Sequence, residues 1–170
     1  NAKDYIKTYH DPADDWGREG GVLSCLDLGD DLRIESRGYR NPWDIAFDHE
    51  FNFIGTDNDQ DQGDRVFHSF FGAHYGWGHP WSAHWRCENH LPTPELVGPM
   101  FGGSGTGITY FDSPAFPPRL RGVWIFNDWL QRRSHYFKSE WQGAQLTLAG
   151  TQYSTLVSGG NALFKPTDLE

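Results

Sequence analysis

Between Thr56 and Arg65 the chain places Asp57, Asn58, Asp59, Asp61 and Asp64 around one glycine, Gly63. Hard cations such as calcium are held by several oxygens, and the alternation of Asp57, Asp59 and Asp61 supplies them. The loop departs from the EF-hand pattern: glycine stands seventh instead of sixth, and the twelfth position is His68, not Glu. Two readings stand side by side. One is a cation loop of another geometry; the other is a solvated turn whose Asp and Asn side chains cap their own backbone. Upstream, Arg40-Asn41-Pro42 reads as a rigid turn able to aim a guanidinium and an amide at a planar anion. The competing reading pairs Arg40 with a neighbouring carboxylate, Asp44 or Asp57.

The remaining reactive side chains form no recognisable machinery. His74, His79, His84 and His90 are unevenly spaced, a poor match to a zinc site. His135 alternates within a predicted strand and reads as structural. Ser104 lies in a Gly-rich run, 102–107, that lacks the strand-to-helix setting of a nucleophile elbow and the lysine of a phosphate loop. That run reads as a close-packed approach to a strand. Arg132-Arg133 reads first as a hairpin tip and second as a ligand-facing cation pair. Cys25 and Cys87 allow one disulfide or two buried thiols.

The elements that must position these residues are strands. Val22–Leu28 and Leu32–Ser36 flank a Gly-Asp-Asp turn, and Trp43–Asp48 and Phe51–Thr56 flank His49-Glu50. Residues 57–99 show little alternation, although their rings imply packing onto a face. Strands resume at Gly107–Phe111, Gly122–Asn127, Ser134–Lys138, Gln145–Leu148 and Ser154–Val157. The stretch 114–121 is a turn, because Pro114, Pro117 and Pro118 fix φ and remove donors. No helix is predicted. The first twenty residues read as a polar loop, and the last ten read as the approach to a further strand pair, so the chain is expected to be a piece of a longer domain.

The 170 residues carry 14 Lys+Arg against 23 Asp+Glu, a formal charge of −9. That balance argues against a phosphate-tracking nucleic-acid binder and against docking on anionic lipid. No run approaches a membrane span. Aromatic residues make up 16% of the chain, with 8 Trp, and rings suit pleated sheets. Trp77, Trp81 and Trp85 raise a further reading, a carbohydrate-binding aromatic surface.

Taken together, GGVLSCLDL, GYRNPWDIAFD, GTDNDQDQGDRV, GAHYGW, GSGTGITYFDSPAFPPRLRG, VWIFNDWLQR and GGNALFKPTDLE resemble the soluble quinoprotein glucose/sorbosone dehydrogenase superfamily. The likeness is nearest to the PVC-type dehydrogenase propellers of bacteria and runs from about Gly20 to the C-terminus. It implies an all-β fold: about three blades of a six-bladed β-propeller built from four-stranded antiparallel meanders, truncated at the C-terminus and at the N-terminus. It implies pyrroloquinoline quinone (PQQ) and calcium as cofactors and a sugar or alcohol as substrate. A cytochrome c acceptor and a periplasmic or extracellular location are implied as well. By resemblance Arg40 and Asn41 contact the quinone, Trp43 stands where the sugar dehydrogenases have Gln, and backbone oxygens near Asn58 and Asp59 hold calcium. Lys165 and Thr167 replace an expected basic pair, and Arg132 lies near an expected lysine. The catalytic histidine is expected upstream of this chain, so this piece alone is expected to be inactive; a non-catalytic binding or scaffold propeller is the alternative.

Overall fold

The computed structural model describes residues 20–58, 64–76, 96–97, 104–150 and 152–170. Among the described residues, twelve strands account for nearly all regular structure: β1 Gly20–Ser24, β2 Arg33–Tyr39, β3 Pro42–Phe47, β4 Phe53–Asp57, β5 Arg65–Ser69, β6 Ala73–His74, β7 Gly105–Phe111, β8 Val123–Asp128, β9 Arg133–Phe137, β10 Ser139–Gln142, β11 Gln145–Leu148 and β12 Ser154–Ser158. The described residues contain no α-helix, only a 3-10 turn at Pro118–Leu120 within the Pro-rich stretch. No helix among them is long and apolar enough to cross a membrane.

The chain divides into two compact units. One comprises Asn1–Asn41 with Ser69–Pro94, the other Pro42–His68 with Glu95–Glu170. In the first, β1 and β2 form the predicted antiparallel hairpin, and β6 adds to β2 in parallel. The first strand is shorter than the sequence pattern suggests. Leu26 to Asp30 close a turn instead, through Leu26 N–H to Asp30 O at 2.8 Å and Gly29 N–H to Leu26 O at 2.7 Å. Cys25 is exposed and unbridged, so the buried-thiol reading fails for it; Cys87 lies outside the described residues.

The second unit holds a three-stranded sheet, β3-β4-β5, and a four-stranded antiparallel sheet, β12-β9-β8-β7, of propeller-blade type. A two-stranded hairpin, β10-β11, interrupts the path from β9 to β12. Its core gathers Ile54, Val66, Ile108, Trp124, Phe126 and Phe137. Each such ring or branched side chain withdrawn from water contributes roughly 1.5–3 kcal/mol.

β5, β6 and β10 are absent from the expected elements. Four of the five residues of β5 are buried, so the strand has no polar face to produce alternation. β6 is only two residues long, and β10 is mostly exposed and polar.

Matching bulges connect the sheets of the second unit. The β3–β4 register slips between Pro42 and Ile45, and the β7–β8 register slips between Gly105 and Ile108. Asp44 spans the two: one carboxylate oxygen accepts from Ile108 N–H at 3.0 Å, the other from Ile45 N–H at 2.8 Å. Bulges bend a strand and free its groups, and here the aspartate takes up the amide.

Candidate functional site

Within the second unit, strand ends carrying polar side chains meet around the start of β7. Thr56 Oγ1, at the end of β4, donates to Thr106 O at 2.7 Å. Asn58 Nδ2 donates to Gly105 O at 2.8 Å, and Gly105 N–H donates to Asp64 Oδ2 at 2.5 Å. Asp57 Oδ2 accepts from Arg65 Nη2 at 2.9 Å and from Nε at 3.2 Å, both side chains being almost fully buried. The acidic stretch therefore spends these side chains on the strand ends beside it.

The end of β8 continues the cluster. Asn127 accepts from Ser134 Oγ at 2.7 Å and donates to Asp168 O at 3.2 Å. Asp128 pairs in register with Gly105 on one side and Arg133 on the other. Its Oδ1 accepts from Gln131 N–H at 2.8 Å, whereas its buried Oδ2 has no hydrogen-bond partner among the described residues. Burial pushes the carboxyl up to about 6, against the pull of the Gln131 and Leu130 amides, Arg133 and Lys165. Trp129 N–H donates to Ser104 O at 2.9 Å. The Lys165 ammonium sits 3.9 Å above the Trp129 ring and donates to Trp129 O at 3.3 Å.

The C-terminal segment lies on the edge of β7 without forming a strand. Thr106 Oγ1 donates to Pro166 O at 2.9 Å, and Gly107 N–H donates to Thr167 O at 3.0 Å. A Cβ on Gly107 would stand 2.7 Å from Asp168 Cα, so only glycine admits this approach. Arg132 closes the β8–β9 turn with φ +61°, and its carbonyl accepts from Gly159 N–H at 2.8 Å.

His135 packs between Phe126 and Tyr153, with Nδ1 3.3 Å from Thr155 Oγ1. Burial, with Arg133 adding to it, lowers the imidazole to about 4, so the ring is neutral near pH 7.

In the first unit, Arg40 and Asn41 are exposed directly after β2. Behind them the strand end is fixed by stacked rings, Tyr39 on Tyr75 at 4.7 Å. Ser36 Oγ lies 2.6 Å from both Tyr39 Oη and Ser69 Oγ. Gly38, at φ +82°, allows the strand to pass His74, whose ring would stand 2.7 Å from any Cβ there. His74 Nδ1 accepts from Gly76 N–H at 2.9 Å, a structural role.

Of the residues singled out in sequence, Asp57, Asn58, Asp64, Arg132, Lys165 and Thr167 all fall at this one end of the second unit's sheets. Trp43 follows Pro42, which pairs with Asp57, and is 58% exposed. Arg40 and Asn41 belong to the first unit. Asp59, Asp61, His79, His84, His90, Trp77, Trp81 and Trp85 lie outside the described residues. Among the described residues no three His, Cys, Asp or Glu side chains gather as metal ligands. Asp128 is the residue that sequence reasoning passed over. Nothing in its own stretch marks it in sequence: its burial, like that of all of β8, comes from the strands that flank it.

No protein-family model matches the sequence. No curated protein matches it either. Solved structures do. An oxidoreductase of Thermus thermophilus, described as a glucose dehydrogenase, superposes with a TM-score of 0.61 at 17% identity over 81% of this chain and 38% of its own. Another glucose dehydrogenase gives 0.54 at 18% identity over 84% and 42%. The PQQ-bound aldose sugar dehydrogenase of Streptomyces coelicolor gives 0.52 at 17% identity over 87% and 38%. The chain thus spans about two fifths of the length of these structures, and it shares their fold: an all-β, partial β-propeller.

Proposed function

We propose that this chain is part of a quinone-dependent β-propeller dehydrogenase that oxidises a sugar or other alcohol and passes the electrons to an acceptor. The observation that carries this reading is the convergence of Asp57, Asn58, Asp64, Asp128, Arg132, Lys165 and Thr167 at one end of the second unit's sheets, on a fold shared with sugar dehydrogenases. The PVC-type branch, periplasmic or extracellular placement and a cytochrome c acceptor belong to the same proposal.

In kind, each unit carries side chains that suit a tricarboxylate quinone: a guanidinium and an amide from Arg40 and Asn41 in the first, and a guanidinium, an ammonium and a hydroxyl from Arg132, Lys165 and Thr167 in the second. The bound quinone would supply the hydride acceptor. The protein's own part is to bind and orient. Arg40 and Asn41 would offer a guanidinium and an amide to the quinone's oxygens from a turn stiffened by Pro42. Lys165, lodged on the Trp129 ring, offers a charge whose position is fixed before binding. A calcium ion fits less directly, because the Asp57 carboxylate is engaged by Arg65 and that of Asp64 by Gly105 N–H. In this reading main-chain oxygens near Asn58 and Asp59 would hold the cation, with the carboxylates of Asp57, Asp61 and Asp64 adding negative charge to that stretch.

A non-catalytic binding propeller is the second reading. It is favoured by Trp43, whose exposed indole offers a quinone no amide, and by Thr167, which stands where the resemblance implies a second cation. Assay of the full-length protein, loaded with quinone and calcium, on aldoses with an artificial acceptor separates the two. Turnover supports the dehydrogenase; quinone-independent sugar binding with no turnover supports the binding module.

A further inference from the structure

Asp128 is fully buried and carries a carboxylate oxygen with no partner among the described residues. An unpaired buried carboxylate oxygen costs stability, and more so when the group is charged. Nothing in the turn needs the second oxygen, because Oδ1 alone accepts from Gln131 N–H. What Oδ2 lacks is a donor, and its surroundings narrow the kind of donor.

Charged and titratable groups from several elements face it. Arg133 lies opposite on β9, Lys165 comes from the C-terminal segment, and Tyr153 precedes β12. Across the register partner Gly105 lies Asp64, engaged by the Gly105 amide. Two nearby cations disfavour a third positive charge, and no acidic trio gathers here to outweigh them. An anion would meet the carboxylate itself. The chemistry that remains is a neutral hydrogen-bond donor.

We propose that Asp128 is a binding residue for the hydroxyl group of a polyol, of which a sugar is the favoured class, with Oδ2 as the acceptor. The neutral donor follows from the charges alone; the choice of a sugar rests on the function proposed above. The carboxylate is capped by the amides of Leu130 and Gln131, both exposed residues, so a two-residue turn separates it from solvent. That turn ends at Arg132, a non-glycine residue held in the left-handed region, so a shift of the turn releases strain as well as contacts. A carboxyl near 6 is ionised at pH 7.5 and largely protonated at pH 5, so acceptance of a hydroxyl should fade on acidification.

The test uses the full chain and D-glucose, without quinone. Thermal melts at pH 7.5 should show a saturable rise in Tm above the linear rise that any sugar produces. Asp128→Asn retains an oxygen for Gln131 N–H but loses the charged acceptor, so the saturable part should weaken at least tenfold. In the parent it should weaken similarly at pH 5. In parallel, carbon-13 NMR of the aspartate carboxyls should show glucose moving the Asp128 titration downward, because a donor to the charged form favours it. A saturable rise that persists in Asp128→Asn overturns the proposal. So does a purely linear rise in the parent, as does an Asp128 titration that glucose leaves in place, the result expected if a buried water alone occupies the oxygen. The NMR titration decides alone if the variant does not fold. Since no quinone is present, failure here is distinct from failure of the dehydrogenase reading.

Discussion

Arg65 and Asp57 share a buried ion pair with both side chains at 2% exposure or less. Removing one partner leaves a charge stranded where water cannot reach it. Arg65→Met should therefore cost about 3–5 kcal/mol in denaturant unfolding, several times what an exposed pair is worth. A loss below about 1 kcal/mol would show that the pair is hydrated in solution. The same pair explains why the acidic loop was only half legible in sequence. The spacing of Asp57, Asp59 and Asp61 advertises oxygens, but whether an oxygen is available depends on which strand end faces it. For Asp57 that is Arg65, eight residues on, and for Asp64 it is Gly105, 41 residues away. Asp128 was missed for the converse reason, since its burial arises from the two strands that flank it, β7 and β9, and not from its own stretch.

Two buried groups in the four-stranded sheet titrate in opposite senses. Asp128 is raised to about 6, so the folded state binds its proton more tightly than the unfolded chain; that stabilisation is present at low pH and is lost as pH rises toward 6. His135 is lowered to about 4, so its contribution is present above 6.5 and is lost as pH falls toward 4. Between pH 4 and 6 the two slopes oppose, each amounting to about 1–2 kcal/mol once screening is allowed for. The parent should show a shallow stability profile across that window. Asp128→Asn removes the acid side and should leave a profile that falls steeply with decreasing pH, as read by urea unfolding at half-unit steps. An unchanged slope would contradict the burial of Asp128. The attachment of the C-terminal segment to β7 is a second matter at this scale. Gly107→Ala places a methyl 2.7 Å from Asp168 backbone and should release the segment, exposing the Gly107 amide to hydrogen exchange. Protection equal to that of the parent would contradict the close approach. Hairpins with alternating faces were legible in sequence, including the Asp48 turn, where Asp48 accepts from Glu50 N–H and Asn52 N–H. β5, buried on both faces, and the segment 164–170, which docks without strand geometry, were not.

The described residues have the all-β, partial propeller fold of solved sugar dehydrogenases, and the chain spans about two fifths of their length. At 17–18% identity that likeness lies in backbone architecture: hydrophobic alternation and turn chemistry marked the strands, the resemblance of the motifs implied the propeller, and no single site residue carried the function. A dehydrogenase assembled from such blades must bind its quinone before anything else can happen. The direct measurement is an equilibrium titration of the full-length protein with PQQ in the presence of calcium, followed by the visible absorption of the quinone. The dehydrogenase account predicts a saturable spectral change, with affinity weakened about tenfold or more in Arg40→Ala through loss of one charge-assisted contact of about 1.5–3 kcal/mol. A quinone spectrum that stays unperturbed by saturating protein, or an Arg40→Ala variant that binds as tightly as the parent, would contradict it.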